Sequence, residues 1–191
     1  MILRIDHVSL AVKDYDKAFD FFTRLMGAVP GARAEDGGMK YLWQIFSLGD
    51  LSRFELLTPT GEGSFLDGFL RDRQGGVHHV TLQTSDIQAT RRLLEENGIP
   101  YFGFSDYGPV WKELFIHPRD AFGVLIQIAE LEADDWISPG LRMPGGKKFL
   151  VEKAPQGAKL TFAHQGGGTV SIELSASEAR ELVGRLESAL A

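Results

Sequence analysis

Near the start of the chain, Ile5, His7, Ser9 and Ala11 alternate with Asp6, Val8, Leu10 and Val12. Period-two alternation with β-branched residues predicts a strand, one face of which is given to small or polar groups. Asp14 then caps a helix with Ala18, Phe21, Phe22 and Leu25 as its apolar stripe and Gly27 as its stop. Two more apolar runs, 41–48 and 53–57, read as antiparallel strands joined by a turn at Gly49-Asp50 and ending at Pro59.

The same order recurs 72 positions later. Ile5-Asp6-His7-Val8-Ser9-Leu10 is matched by Val77-His78-His79-Val80-Thr81-Leu82, and Asp14 by Asp86. Phe21-Phe22 falls on Leu93-Leu94, Gly27 within one position of Gly98, and Phe54-Glu55-Leu56 on Ile126-Gln127-Ile128. Repeats of this kind are supersecondary units written twice. The second unit predicts a strand over 77–83, a helix capped by Ser85 or Asp86 and running to Asn97-Gly98, and strands around 110–116 and 123–128. Each unit is βαβββ. The Gly-rich, acidic stretch 60–76 connects them, with a short helix over 65–70.

Composition then shifts. Residues 132–148 hold Asp134-Asp135, Pro139-Gly140 and Pro144-Gly145-Gly146 and read as a linker. Beyond it, 159–163 and 169–174 flank Gln165-Gly166-Gly167-Gly168 as a hairpin, and Ser175 with Glu178 forms a capping box. That box opens a helix with Leu182, Val183, Leu186, Ala189 and Leu190 on one face. The expected organisation is an α+β domain over 1–131 (module one 1–60, module two 75–131), a linker over 132–148 and a C-terminal ββα extension over 149–191. Covering a sheet edge is the plainest role for that extension; mediating a homodimer and closing the cleft are the alternatives.

Charge and composition narrow the partners. The 191 residues are 43% hydrophobic and carry a formal net charge of −6, with Lys or Arg never in runs longer than two. That excludes the basic stripe needed for nucleic acid or an anionic membrane surface. No apolar run nears the roughly 20 residues of a membrane span. Cys is absent, which removes thiolate nucleophiles, zinc fingers and iron–sulfur clusters. The opening residues do not form a signal peptide, so a cytoplasmic protein with a small-molecule substrate is expected.

The repeat places four polar residues at equivalent points. His7 and His79 lie on the first strands, and Glu55 and Gln127 lie 48 residues after each on the last strands. Each stands in an otherwise apolar strand, where an unpaired polar group costs about 1–3 kcal/mol to bury. A lone strand histidine is more often a hydrogen-bonded core residue than a ligand, but the shared offset favours a joint role. Two imidazoles, a carboxylate and an amide oxygen suit a divalent Zn, Ni, Co, Mn or Fe ion. A pseudo-twofold axis between the modules would bring them together and leave positions open for substrate. By alternation His78 faces away from His79. His117, before Pro118, reads as serving its loop or an anionic substrate, and His164 reads as a surface residue of the hairpin. Phe46, Trp43 and Trp111 are candidates for cavity walls or for plain core. Lys112 and Arg119 read first as solvated charges and second as partners for an anionic group of a substrate.

The stretches Ile-Asp-His-Val-Ser-Leu-Ala-Val, Phe-Glu-Leu-Leu-Thr-Pro, Gly-Val-His-His-Val-Thr-Leu and Phe-Ile-His-Pro-Arg-Asp through Gly-Val-Leu-Ile-Gln-Ile resemble the vicinal oxygen chelate (glyoxalase/bleomycin resistance protein/dioxygenase) superfamily. Within it they are most similar to methylmalonyl-CoA epimerases and glyoxalase I enzymes. The resemblance covers about residues 3–130. It implies paired βαβββ modules in an open, curved mixed sheet around one divalent metal, with His7, Glu55, His79 and Gln127 at the ligand positions. It also implies a lyase or isomerase acting on a small carbonyl or thioester substrate through a metal-stabilised enolate, with Glu55 as ligand and base. Two departures stand out. The last ligand position, usually Glu, is Gln127, and the strand before Glu55 (40–46) lacks the acidic residue that the epimerases place there. The alternatives are a non-haem Fe(II) dioxygenase using His7, His79 and Glu55, or a ligand-binding protein of the drug-resistance type.

Overall fold

The computed structural model of the protein describes residues 1–49, 52–164 and 166–191. Asp50 of the expected Gly49-Asp50 turn and Gln165 of the expected hairpin turn lie outside the described residues. The chain divides into two compact units, Met1–Ser138 and Pro139–Ala191.

The first unit is the βαβββ pair. Module one contains β1 (Ile2–Val12), α1 (Tyr15–Asp20), β2 (Val29–Asp36), β3 (Tyr41–Ser47) and β4 (Arg53–Pro59). A short helix, α2 (Asp67–Leu70), lies in the connector. Module two repeats the order with β5 (Gly75–Thr84), α3 (Ile87–Glu96), β6 (Phe102–Asp106), β7 (Lys112–Ile116) and β8 (Ile126–Glu130). All eight strands form one mixed sheet in the order β2-β3-β4-β1-β5-β8-β7-β6. Within each module the first and last strands pair parallel, and the modules join through antiparallel β1 and β5. The order reads the same from either end once each strand is exchanged for its repeat, as a pseudo-twofold axis through the β1–β5 seam requires.

Period two decides what each face carries. Leu10, Phe46, Phe54 and Leu56 pack under Tyr15, Ala18, Phe19 and Phe22, and Leu114, Ile116 and Ile128 pack with Ile87 of α3. The intervening residues, His7, Ser9, Glu55, His79, Thr81 and Gln127, are also buried, on the opposite face. Phe46 is therefore core and not cavity wall. It is fully buried, and its ring stacks on Phe54 at 4.9 Å.

Three local expectations change. The first helix does not run evenly to Gly27: after Asp20 the chain makes a π-helical turn over Phe21–Leu25, with the Met26 N–H bonding to the Phe21 carbonyl. The wider turn rotates the stripe, so Phe21 and Leu25 are exposed and Tyr15, Phe19 and Phe22 take the inner face. The stretch 132–138, read as linker, belongs to the first unit, with a 3₁₀ turn over Ala133–Trp136. The C-terminal extension has three strands rather than two: β9 (Phe149–Ala154), β10 (Gly157–Ala163) and β11 (Thr169–Ser175), followed by α4 (Ala176–Leu190). Their order is β11-β10-β9, with Phe149 opposite Phe162. At Gly157 a side-chain Cβ would collide with the Leu174 carbonyl, so the residue must be glycine. The Ser175/Glu178 capping box is formed, but the α4 stripe stays largely open, with Val183, Leu186 and Leu190 exposed.

Phe46→Ala removes a fully buried ring from the cluster of Ala28, Phe54 and Leu56 and leaves a cavity there. The expected loss is about 3–5 kcal/mol, read as a lower midpoint in urea unfolding of the whole chain. A loss below about 1 kcal/mol would place Phe46 outside the core.

Candidate metal centre

The β1–β5 seam sets the site. Its register puts His7 opposite Thr81 and Ser9 opposite His79. The parallel pairs add Glu55 beside Ser9 and Gln127 beside Thr81. Two rows, Glu55–Ser9–His79 and His7–Thr81–Gln127, therefore cross the sheet at neighbouring levels. Each is the repeat image of the other.

The side chains converge as the register dictates. His7 Nε2 lies 3.8 Å and His79 Nε2 lies 3.7 Å from Glu55 Oε2. One ligand atom from each of His7, Glu55 and His79 falls within 4.8 Å of the other two. Gln127 Oε1 lies 3.2 Å from His79 Nε2. The two hydroxyls knit the rows together. Ser9 donates to Glu55 Oε2 at 2.6 Å and lies 2.8 Å from His79 Nε2. Thr81 donates to Gln127 Oε1 at 2.5 Å and lies 2.9 Å from His7 Nε2. The structure thus brings together all four predicted donors.

The residues just before the two imidazoles also match at the repeat offset. Asp6 Oδ2 takes the His7 Nδ1 proton at 2.8 Å, which leaves Nε2 as the lone-pair nitrogen facing the cluster. A register shift between Ile5 and His7 lets two successive residues, Asp6 and His7, both be buried. Arg53, fully buried, and Arg4 pair with Asp6. Burial alone would raise the Asp6 carboxyl. The His7 hydrogen bond and the Arg53 charge outweigh it and hold the group down at about 2. Behind His79 stands His78, with the two Nδ1 atoms 3.0 Å apart. His78 packs against Phe65 and Phe69 and lies outside the donor cluster, but it does not face away from His79 as alternation predicts: a register shift falls at His78, and the two rings lie 5.3 Å apart.

Electrostatics favour a cation here. Burial pushes the Glu55 carboxyl up, only partly offset by the His7 charge and the Ser9 hydrogen bond. Burial, with the neighbouring imidazole charges, pushes His79 well below its ordinary value. A neutral imidazole is the ligating form, and a buried carboxylate without a cationic partner is costly. Two imidazole nitrogens, a carboxylate oxygen and an amide oxygen aimed at one point therefore fit a borderline divalent ion.

His7, Glu55 and Gln127 of the cluster line a cleft of about 530 Å³. Trp43 and Trp111 line it, as the sequence allows, together with Trp136 from the segment read as linker. Trp136 lies 5.5 Å from the Trp43 ring and 4.8 Å from the Trp111 ring. Glu35 and Asp36 end β2 at the cleft. The candidates for binding an anion do not reach it. Lys112 pairs with Glu130 at 2.6 Å, Arg119 pairs with Asp120 at 3.1 Å, and His117 accepts from the Arg119 N–H. His164 caps its own turn, with Nδ1 accepting from the Gly166 N–H. Sequence reading missed Glu113. It lines the cleft, and its Oε2 accepts from Gln127 Nε2 at 2.6 Å and Trp111 Nε1 at 2.9 Å.

Residues 6–110 match the family model described as the Glyoxalase/Bleomycin resistance protein/Dioxygenase superfamily. An ethylmalonyl-CoA/methylmalonyl-CoA epimerase of Cereibacter sphaeroides is 36% identical over 137 residues, covering 69% of this chain and all of that one. The human mitochondrial methylmalonyl-CoA epimerase is 32% identical over 139 residues, covering 66% of this chain and 73% of that one. Among solved structures, the methylmalonyl-CoA epimerase of Mycobacterium tuberculosis superposes with a TM-score of 0.63 at 27% identity. It covers 69% of this chain and 89% of that one.

Two results are expected. Titration of the wild-type chain with Co²⁺ gives one saturable site with visible d–d absorption, and His7→Ala or His79→Ala abolishes it; unchanged spectra would remove these residues from the ligand set. Arg53→Met removes one of the two arginines that pair with the buried Asp6 carboxylate and is expected to cost about 3–5 kcal/mol in urea unfolding. Asp6→Asn in the same chain recovers part of that loss. A neutral Arg53→Met would mean that Arg4 and His7 compensate Asp6 without Arg53.

Proposed function

Because the chain belongs to the glyoxalase/bleomycin resistance protein/dioxygenase superfamily, we propose that it is a divalent-metal-dependent isomerase that inverts the α-carbon of an acyl-CoA thioester. The supporting observation is the convergence of His7, Glu55, His79 and Gln127, three of which (His7, Glu55 and Gln127) line an aromatic-walled cleft. The relatives' names supply the substrate class. Their being enzymes favours catalysis over drug sequestration.

His7, Glu55, His79 and Gln127 would hold the ion. Zn, Ni, Co, Mn and Fe all suit this donor set. When bound, such an ion supplies Lewis-acid polarisation of the thioester oxygen, which acidifies the neighbouring C–H. The protein does the rest. Asp6 and His78 set the orientation and tautomer of the two imidazoles. Thr81 holds the Gln127 carbonyl oxygen toward the centre. The Trp43, Trp111 and Trp136 rings exclude water from the reacting end. Glu55, its carboxyl basic through burial, takes the α-proton.

In D₂O, metal-loaded protein should incorporate deuterium at the α-carbon of methylmalonyl-CoA, followed by proton NMR. Glu55→Gln should slow it by about 10²–10⁴-fold. No exchange above the uncatalysed rate with methylmalonyl-CoA or ethylmalonyl-CoA would refute the reading.

A second reading has one observation behind it. His7, His79 and Glu55 form a two-histidine, one-carboxylate set, as in non-haem Fe(II) oxygenases. It predicts substrate-dependent O₂ uptake by Fe(II)-loaded protein and none by the Zn-loaded form.

A further inference from the structure

Inversion at a carbon needs a proton taken from one face and another given to the opposite face. Glu55 can serve one face only. Four carboxyl-bearing residues line the cleft among the described residues: Glu35, Asp36, Glu55 and Glu113. Two of these are otherwise engaged. Asp36 Oδ1 accepts from the Gly38 and Met39 N–H groups at 2.9 and 2.8 Å and closes the turn into β3. Glu35 is 59% exposed in its side chain and lies 3.8 Å from Arg33. Glu113 differs from both. It is half-buried, stands on β7 in the wall that module two contributes, and is one amide away from the metal centre.

The strand register explains its placement. Ile45 lies opposite Glu55 on the β3–β4 pair, and Phe115 lies opposite Gln127 on the β7–β8 pair. Trp43 and Glu113 each come two residues before those partners, so they are repeat images. Module one therefore offers a carboxylate at its ligand position and Trp43 on the preceding strand. Module two offers an amide at its ligand position and Glu113 on the preceding strand. At these equivalent strand positions each module therefore presents one carboxyl group to the cleft, from either side of the β1–β5 seam. Tyr41 registers both: burial raises its phenol, and the Glu55 and Glu113 charges raise it further.

We propose that Glu113 is the second proton-transferring group, acting on the face of the substrate α-carbon opposite Glu55. This rests on the isomerase reading above. In one direction the α-C–H bond breaks toward one carboxylate, and its electron pair moves onto the thioester oxygen. The pair returns as the carboxylic acid across the cleft delivers its proton to the other face. One proton is taken and one given, so charge and atoms balance. Exchange of the two carboxyl protons with solvent, or turnover of the opposite epimer, resets the pair. Both described hydrogen bonds of Glu113 fall on Oε2, and Oε1 takes none among the described residues, so one oxygen remains to meet the substrate. The same Oε2 also orients Gln127, because reversing that amide would set its carbonyl against the Glu113 carboxylate. Glu113 thus links proton transfer to ligand orientation.

The test separates these roles using metal-loaded full-length protein and each methylmalonyl-CoA epimer in D₂O. Glu113→Gln keeps an oxygen that can accept from Gln127 Nε2, so it is expected still to take up one Co²⁺ per chain, with affinity lowered by no more than about 10–100-fold. It should still exchange the α-proton of one epimer through Glu55. Interconversion of epimers, read by circular dichroism, should fall by about 10²–10⁴-fold, and Glu113→Asp should restore part of it. Wild-type inversion rates in Glu113→Gln would overturn the assignment. So would loss of Co²⁺ binding with equal loss of exchange from both epimers, which would leave Glu113 only a positioning residue for Gln127. Absence of exchange in the wild type itself would overturn the isomerase reading and this assignment together. Wild-type exchange with a normal Glu113→Gln variant would overturn this assignment alone.

Discussion

Everything at the site depends on the antiparallel seam between β1 and β5. That pairing places each histidine opposite the hydroxyl residue of the other module. The parallel neighbours β4 and β8 then deliver Glu55 and Gln127 to the same rows. A slip of one residue would turn all six side chains onto the helix-covered face, where Leu10, Leu56 and Ile128 now pack. The hydrophobic contacts of α1 and α3 therefore fix the polar register on the other side. Burying ionisable groups in this way is unfavourable unless they are paired. Asp6 is matched by Arg53 and Arg4, whereas among the described residues Glu55 is partnered by two imidazoles and a hydroxyl. That imbalance is the physical case for a cation.

The pseudo-twofold axis relates positions but not chemistry. Asp6 and His78 stand behind the two histidines as a carboxylate and an imidazole. Glu55 and Gln127 are a charged and a neutral donor, and Trp43 and Glu113 are an aromatic wall and an acid. The superfamily resemblance implies a carboxylate at the last ligand position and an acid on the strand before the module-one ligand. Here both carboxylates occupy the repeat-related positions instead. An axis that exchanges the modules carries one arrangement into the other, so on the proposed reading a pair of acids would be kept with its handedness relative to the chain reversed.

The sequence made the four converging donors legible because they obey one offset without insertion, and because polar groups inside apolar strands stand out. The helix caps Asp14, Asp86 and Ser175 were legible for a related reason: their side chains bond locally. Glu113 was hidden by a change in spacing. Ten residues separate Ile45 from Glu55, but twelve separate Phe115 from Gln127, so β7 is displaced from the common offset. A search confined to the strand before Glu55 finds Trp43 there and no acid. Trp136 was hidden by its surroundings, since Asp and Pro neighbours read as linker while its ring packs between two other tryptophans. Strand β9 and the π-helical turn reflect tertiary pairing and packing that local periodicity does not encode.

The central claim is that both modules supply ligands to a single ion. Diffraction from crystals of the metal-loaded chain, recorded on either side of the metal's absorption edge, tests this directly. The account predicts one anomalous peak per chain, bonded by His7 Nε2, His79 Nε2, a Glu55 carboxylate oxygen and Gln127 Oε1 at about 2.0–2.2 Å. A peak held by residues of one module alone, or no peak between the two histidines, would contradict it.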